Sequence, residues 1–453
     1  MVVLLDDNGE SIFDIDLTSD HEREKHINQM LEMLDANDID RLRETVLCTS
    51  DGLLDNSVRK RAWPLLIGQD TLLDMHMKES VNIKEQDSKE SSITRLKHQI
   101  EHKDAEQVLK DVERSFIYLN SIPDQQNSVE NNLSFLRKRL NKLIIHVLNA
   151  IPGINYYQGY HDVASMVVLT FDNDYEAFRF LYNLTLRYLR DHMMTNISPT
   201  MKQLDLIPEL LSYNDYDIYL ILKTSKPVYA LSAVISLFTH DITNINDISL
   251  IWDYIFACDD PQLVIYIYTA LLIYYKDDIL VDLNEMSDSS IESSTYDSDI
   301  VHVVLNNFIK THLSENSIDS KLEVNTVLRL ALDLKKKIPL SKLKSFKNIS
   351  SFSFLKSKST SITVLILQIK EQKLQDTKIQ KKRYILKTLN NNSALIKREI
   401  HRSPMIIKAS LGICILGIVM HTTLKNSGVK LGITNEVTRN IHIIWNCIKD
   451  NLR

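Results

Sequence analysis

Glycine is scarce in this chain. There are nine in 453 residues, about 2% where about 7% is usual, and none lies between Gly159 and Gly412. That scarcity argues against propellers, glycine-turn β architectures and collagen. It also leaves no G-x-x-x-x-G-K-[ST] and no G-x-G-x-x-G anywhere, so no glycine loop of this chain is available to cradle nucleotide phosphates. Cysteine is sparse as well. Cys48, Cys258, Cys414 and Cys447 are scattered without a C-x-x-C, which supports neither a zinc site nor a disulfide framework and fits a reducing, cytosol-like compartment. The chain opens on a few apolar residues followed by Asp6, Asp7 and Glu10. A secretory signal has a basic start and a longer apolar core, so none is expected.

What is present is an ordinary globular composition, 44% hydrophobic and 25% charged, in a chain long enough for a sizeable core. The net charge of −6 hides a strong asymmetry. Residues 335–402 hold 18 Lys and Arg against 3 Asp and Glu, and residues 403–453 hold 6 against 2, leaving 29 against 54 in residues 1–334. An acidic body thus carries a basic C-terminal stretch, of the kind that suits nucleic acid, anionic lipid or plain solvation. Only Phe346, Phe352, Phe354 and Tyr384 interrupt residues 335–402 with aromatic rings. Stacking platforms are poorly supported, and no nucleic-acid partner is expected.

An apolar run follows the basic stretch. Ala409–Met420 is 12 residues without a charge, and Met405–Leu424 reaches 20 with Lys408 and His421 included. Twelve residues are short for a span, and such a run by itself reads as a buried core helix. Lys408 near one end can snorkel toward headgroups, and the basic stretch before the run has the character of a cytoplasmic flank. Gly412 and Gly417 are better tolerated in a membrane helix than in a soluble one. These features turn the expectation toward a membrane-anchoring segment, with a core or interfacial helix as the alternative.

Along the body the apolar residues recur at helical spacing and no run of alternating strands occurs, so an all-α fold is expected. Helices are expected around Ile27–Leu34 and Val58–Ile67, then over Thr94–Leu119, which must stop before Pro123. Leu133, Leu136, Leu140, Leu143, Ile144, Val147 and Leu148 mark another, ended by Pro152-Gly153. Further helices are expected over His161–Phe171, Tyr175–Leu189, Asp215–Leu222, Val228–Thr239, Ile248–Ala257, Gln262–Tyr275 and Val301–Leu334. The polar stretch near residues 78–92 and the acidic, serine-rich stretch at 285–299 read as linkers or insertions.

Two short patterns could carry chemistry. Val108-x-x-Asp111-x-x-Arg114 puts three residues on one broad side of a helix. It reads either as a surface ion pair worth a few tenths of a kcal/mol or as an arginine oriented by a carboxylate and presented to an anion. Gln158, in Pro152-Gly-Ile-Asn-Tyr-Tyr-Gln-Gly159, should lie in a loop or at a helix start. His161-Asp162 suggests a hydrolase pair, but neighbouring residues do not face each other on a helix and there is no G-x-S-x-G elbow.

Four blocks, in order, resemble the TBC domain of Rab GTPase-activating proteins. Val58-Arg-Lys-Arg-Ala-Trp63-Pro-Leu-Leu-Ile-Gly68 is similar to R-x-x-x-W-x-x-L-L-G, and Val108-Leu-Lys-Asp111-Val-Glu-Arg114 to I-x-x-D-x-x-R. Tyr156-Tyr157-Gln158-Gly159 matches Y-x-Q-G, and Leu250-Ile-Trp252-Asp253-Tyr-Ile-Phe256 resembles L-W-D-x-x-F with one residue inserted. Within the family, the wording Asn155–Asp162 and the apolar C-terminal segment look most like the membrane-anchored branch that acts on early-secretory Rabs, and like yeast Gyp-type proteins.

The resemblance implies a TBC-type multi-helix domain over residues 45–335, preceded by an acidic segment at 1–44. A basic linker with helical parts follows at 336–402 and the apolar segment at 403–453. It further implies that the chain hydrolyses nothing by itself. Arg114 and Gln158 would act in trans on a Rab, with Asp111 orienting Arg114 and Asn155, Tyr156 and Gly159 shaping the glutamine loop. GTP and Mg²⁺ would belong to the Rab, so the chain needs no cofactor or metal of its own. Trp63 and Trp252 are read as core residues. The expected location is the cytoplasmic face of an intracellular membrane, such as the endoplasmic reticulum. A non-catalytic TBC-fold scaffold that binds Rabs at a membrane is the alternative.

Overall fold

The computed structural model describes residues 20–68, 102–116, 126–287, 296–313, 320–359, 361–379 and 381. Every regular element among these residues is helical, as the all-α expectation requires. The first helices are α1 (Asp20–Asp35), α2 (Ile39–Cys48) and α3 (Asn56–Leu66). The motif residues fall in and around α4 (Ala105–Val112), α5 (Gln126–Ala150), α6 (Tyr160–Thr170) and α7 (Asp174–Leu184). Next come α8 (Ser198–Leu204), α9 (Leu206–Asn214), α10 (Tyr216–Leu222), α11 (Leu231–Ile235) and α12 (Ile245–Ala257). The series continues with α13 (Leu263–Tyr274), α14 (Lys276–Met286), α15 (Ser298–His312) and α16 (Ser320–Lys337), and a further helix covers residues 362–379. The chain divides into two compact units, Met1–Lys373 and Leu374–Arg453. Of the second, only residues 374–379 and 381 are described, and they are helical.

Local chemistry sets many of the helix starts. Asp38, Asp55, Asn173, Asp215 and Asn244 each precede a helix and accept a hydrogen bond from a backbone N–H of its first turn. Such caps stabilise a helix by about 1 kcal/mol each. The centre of the first unit is α13, buried from Leu263 through Leu272 and packed chiefly against α16, as a helix apolar all round must be. Beside it an aromatic cluster joins α3, α7 and α12. Trp63 lies 5.4 Å from Trp252 and 5.8 Å from Phe180 between ring centroids, and Phe256 sits 5.5 Å from both tryptophans. Both tryptophans are fully buried, the core role expected of them.

One charged pair is buried with this cluster. The Asp253 carboxylate accepts from the Arg59 guanidinium (Nη2 at 2.9 Å), the Trp63 indole (2.7 Å) and the Leu53 backbone (2.9 Å). The first and last of the four sequence blocks therefore meet in space, joined by this ion pair, the Trp63 indole bond and the aromatic contacts.

Several elements depart from expectation. The helix expected over Thr94–Leu119 is, within the described residues, only α4. Arg114 and Ser115 close tighter i→i−3 turns onto Asp111 and Val112, and Phe116 takes φ +64° with its ring buried. The helix expected over Val228–Thr239 is a 3₁₀ turn, Pro227–Ala230, followed by the short α11. It breaks because Leu237 and Phe238 adopt φ of +50° and +71° to bury both side chains. The Trp252 indole holds the Leu237 carbonyl at 3.0 Å. The helix expected over Tyr175–Leu189 ends as α7 and continues as a π turn, Thr185–Leu189. The Thr185 hydroxyl bonds the Leu181 carbonyl and the Tyr160 hydroxyl, each at 2.6 Å, the kind of insertion that widens a helix. Helices α2, α8, α9 and α14 carried no expectation.

The compact unit runs past the boundary expected at 335, with Leu340, Leu343, Phe354, Leu355, Leu365 and Ile369 all buried. Glu285–Met286 belong to α14 and Ser298–Asp299 to α15. The segments 78–92 and 403–453, including the apolar run 405–424, lie outside the described residues. Among the described residues no single helix is long and apolar enough to cross a membrane.

Candidate functional site

Helix α4 places the first cluster. Val108, Asp111 and Val112, at i, i+3 and i+4, share its inner face and are buried, while Glu106 and Lys110 pair on the outer face at 2.7 Å. Asp111 is therefore a carboxylate inside the protein, its side chain 0% exposed. Arg114 follows the end of the helix with its backbone N–H on the Asp111 carbonyl at 3.1 Å. Its guanidinium bonds Asp111 Oδ1 at 2.5 Å while its side chain stays 59% exposed. The arginine is thus gripped from inside and faces out, unlike a pair of two solvated side chains.

Asp111 has other partners. Gln107 Nε2 donates to Oδ1 at 3.2 Å, and the Tyr156 hydroxyl donates to Oδ2 at 2.8 Å. Burial pushes the Asp111 carboxyl up. The hydrogen bonds from Tyr156, Arg114 and Gln107 outweigh it and hold the group below the ordinary carboxylate range. Burial, together with the Asp111 charge, in turn drives the Tyr156 phenol well above its usual value, so it stays a donor.

The second cluster is the loop from Pro152 to Gly159. Asn155 directs both its backbone N–H (2.8 Å) and its Nδ2 (3.0 Å) to the Met193 carbonyl, and its Oδ1 accepts from Lys103. The Tyr156 N–H donates to Asp104 Oδ2 at 2.9 Å, and the Tyr157 hydroxyl reaches the Ile235 carbonyl at 2.7 Å. Gly159, buried at φ +108°, turns the chain into α6, a conformation that a residue with a Cβ adopts only under strain. Gln158 lies between these anchored neighbours, exposed, in the turn that opens α6. This is the loop or helix-start position expected of it.

Tyr156 links the two clusters. Its backbone is tied to Asp104 at the start of α4 and its hydroxyl to Asp111 near the end of α4. Asp104 sits at the N-cap of α4 without capping it, because its carboxylate is engaged by the loop. Lys103, Asp104 and the Met193 carbonyl carried no sequence signal, since their partners lie tens of residues away, and Gln107, one turn before Asp111, was not singled out. Asp111, Arg114, Asn155, Tyr156 and Gly159 are brought into one bonded framework, and Gln158 projects from it.

His161 and Asp162 do meet, against expectation, with Nε2 and Oδ1 3.2 Å apart. Both lie in the first turn of α6, where side chains lean toward the helix N-terminus. Burial keeps the His161 imidazole below its usual value. Ser165, one turn on, donates its hydroxyl to the His161 carbonyl at 2.7 Å, so the pair does not assemble a hydrolase triad with it. His240 Nδ1 lies 2.9 Å from Asp162 Oδ2, and that hydrogen bond raises the His240 imidazole above its usual value. Among the described residues no group of three His, Cys, Asp or Glu side chains is arranged to hold a metal ion.

An all-helical domain that presents one arginine and one glutamine from a shared buried framework is a distinct class of fold and site. Residues 56–280 match the sequence model of the Rab-GTPase-TBC domain, RabGAP-TBC. That span contains all four blocks, and through it the chain belongs to the TBC-domain family. GTPase-activating protein GYP8 of Saccharomyces cerevisiae is 28% identical over 268 residues, covering 52% of this chain and 49% of that protein. GTPase-activating protein gyp10 of Schizosaccharomyces pombe is 31% identical over 217 residues, 48% of this chain and 52% of that protein. TBC1 domain family member 20 of Mus musculus is 25% identical over 262 residues, 57% of this chain and 59% of that protein. The chain thus spans about half to three-fifths of the length of these relatives.

Proposed function

We propose that this chain is a GTPase-activating protein for a Rab-family small GTPase, with Arg114 and Gln158 supplied in trans. One observation carries the reading: the buried Asp111 carboxylate grips the outward-facing Arg114 guanidinium and, through the Tyr156 hydroxyl, the loop that carries Gln158. The match of residues 56–280 to the Rab-GTPase-TBC domain supports it, as do the names of the fungal relatives.

GTP hydrolysis is limited by charge developing on the phosphates and by placement of the attacking water. Arginine suits the first task because its planar fork stays charged and donates several hydrogen bonds at once. Asp111 restricts that fork before the partner arrives, which lowers the cost of orienting it on binding. Gln158 has one donor group and one acceptor oxygen, enough to hold a water in line while its loop is fixed from Asn155 to Gly159. The Rab brings GTP and Mg²⁺. An arginine supplied in trans accelerates such hydrolysis by about 10³–10⁵, or roughly 4–7 kcal/mol of barrier.

The setting of this activity in the proposal is the cytoplasmic face of an intracellular membrane, with residues 405–424 as the anchor behind a basic flank. The test of function is single-turnover GTP hydrolysis by a panel of purified Rabs with the wild-type chain, Arg114→Ala and Gln158→Ala. Acceleration of one or a few Rabs is expected, and Arg114→Ala should remove most of the roughly 10³–10⁵-fold effect. Full activity in Arg114→Ala sinks the mechanism, and a Rab bound without any change in its hydrolysis rate indicates a scaffold.

A further inference from the structure

The glutamine loop rests on Arg190–Met193, and that stretch is held in turn by the chain beyond residue 350. Arg190 is 1% exposed and Asp191 0%, and a buried charge is costly unless hydrogen-bonding partners offset its desolvation. Arg190 donates to the Phe352 carbonyl (3.0 Å) and to Gln368 Oε1 (2.8 Å). Asp191 accepts from the Ser353 hydroxyl (2.5 Å) and from Gln203 (2.7 Å). The next residue, His192, carries Phe354 on its ring at 5.4 Å and Tyr157 of the loop at 6.2 Å. Met193 receives both Asn155 donors. On another side, the space a Cβ of Gly153 would occupy lies 3.5 Å from Ile369 and 3.7 Å from Lys373.

We propose that residues 350–373, outside the span matched to the TBC domain, are a brace that positions the Gln158 loop and thereby sets the rate of GTP hydrolysis, leaving affinity for the Rab unchanged. The proposal rests on the reading of Gln158 as the group that orients water. The brace acts through Arg190–Met193, so Phe354 and Gln368 are positioning residues that touch no substrate.

The experiment uses the full chain and a Rab that it accelerates. Single-turnover hydrolysis is followed over a range of chain concentrations for wild type, Phe354→Ala, Phe354→Leu and Gln368→Ala. Thermal unfolding and amide hydrogen exchange are measured alongside. Phe354→Ala should lower the maximal rate about 10- to 100-fold, the scale of a displaced catalytic group, and leave the half-saturating concentration within about 2-fold. Phe354→Leu should recover most of the rate, and amides 153–159 should exchange faster in Phe354→Ala while those of α13 do not. If Phe354→Ala fails to fold, Gln368→Ala, which leaves Arg190 its two carbonyl partners, decides by the same readouts. Folded variants with full maximal rate and unchanged exchange overturn the brace, as does a loss confined to half-saturation. A wild-type chain that accelerates no Rab overturns the activator reading and the catalytic role of the brace with it, while exchange still reports whether this segment holds the loop.

Discussion

Asp111 sits at the centre of the site because three donors converge on a carboxylate that water cannot reach. Removing one donor leaves a buried acceptor short of a partner, which costs about 1–3 kcal/mol. Tyr156→Phe should therefore lower unfolding free energy by about that amount in denaturant titrations at neutral pH. The pH dependence follows from the same bonds. Because the folded state holds Asp111 below its unfolded value, its contribution is complete above the ordinary carboxylate range and is lost as pH falls toward the depressed value. With Phe at position 156 the carboxyl should rise, and its share of the acid-induced loss should shrink. An unchanged acid limb in Tyr156→Phe would show that Tyr156 does not set this pKa. The Asp111–Arg114 pair and the loop or helix-start place of Gln158 were legible in the spacing and in the Pro-Gly turn. That the carboxylate is buried, and shared with the glutamine loop, was not, since the phenol that binds it lies 45 residues on.

At the scale of elements, the Arg59–Asp253 pair ties α3 to α12 beneath the tryptophan cluster. Gly52 lets the chain pass, since a Cβ there would lie 2.6 Å from Asp253 Oδ2. Asp253→Ala would strand a buried guanidinium, and breaking such a pair costs about 3–5 kcal/mol. A thermal unfolding midpoint unchanged by that substitution would refute the structural role. The sequence blocks at 58–68 and 250–256 were visible as patterns, but their pairing was not. Helix lengths were misread where tertiary demands overrode period. α4 ends early as Phe116 turns into the core, α11 ends at Ile235 as Leu237 and Phe238 bend inward, and the Thr185 hydroxyl converts the end of α7 into a π turn.

Over the whole molecule, charge divides into an acidic body and a basic C-terminal stretch that precedes the apolar run. Under the proposed anchoring, removal of residues 403–453 should release the chain from membranes in fractionation. Raised salt should weaken the attraction of the basic flank for anionic vesicles, since that attraction falls off within a Debye length of about 8–10 Å. A truncated chain that still sediments with membranes would end the anchor assignment. By itself the sequence determined the helical class, the lack of a phosphate-binding loop and the short patterns around Arg114 and Gln158, because these depend on composition, period and short spacings. Only the tertiary structure decided that Asp111, Asp191 and Asp253 are buried and which distant residues satisfy them. A buried charge takes its partners from wherever packing brings them, and sequence separation carries no record of that.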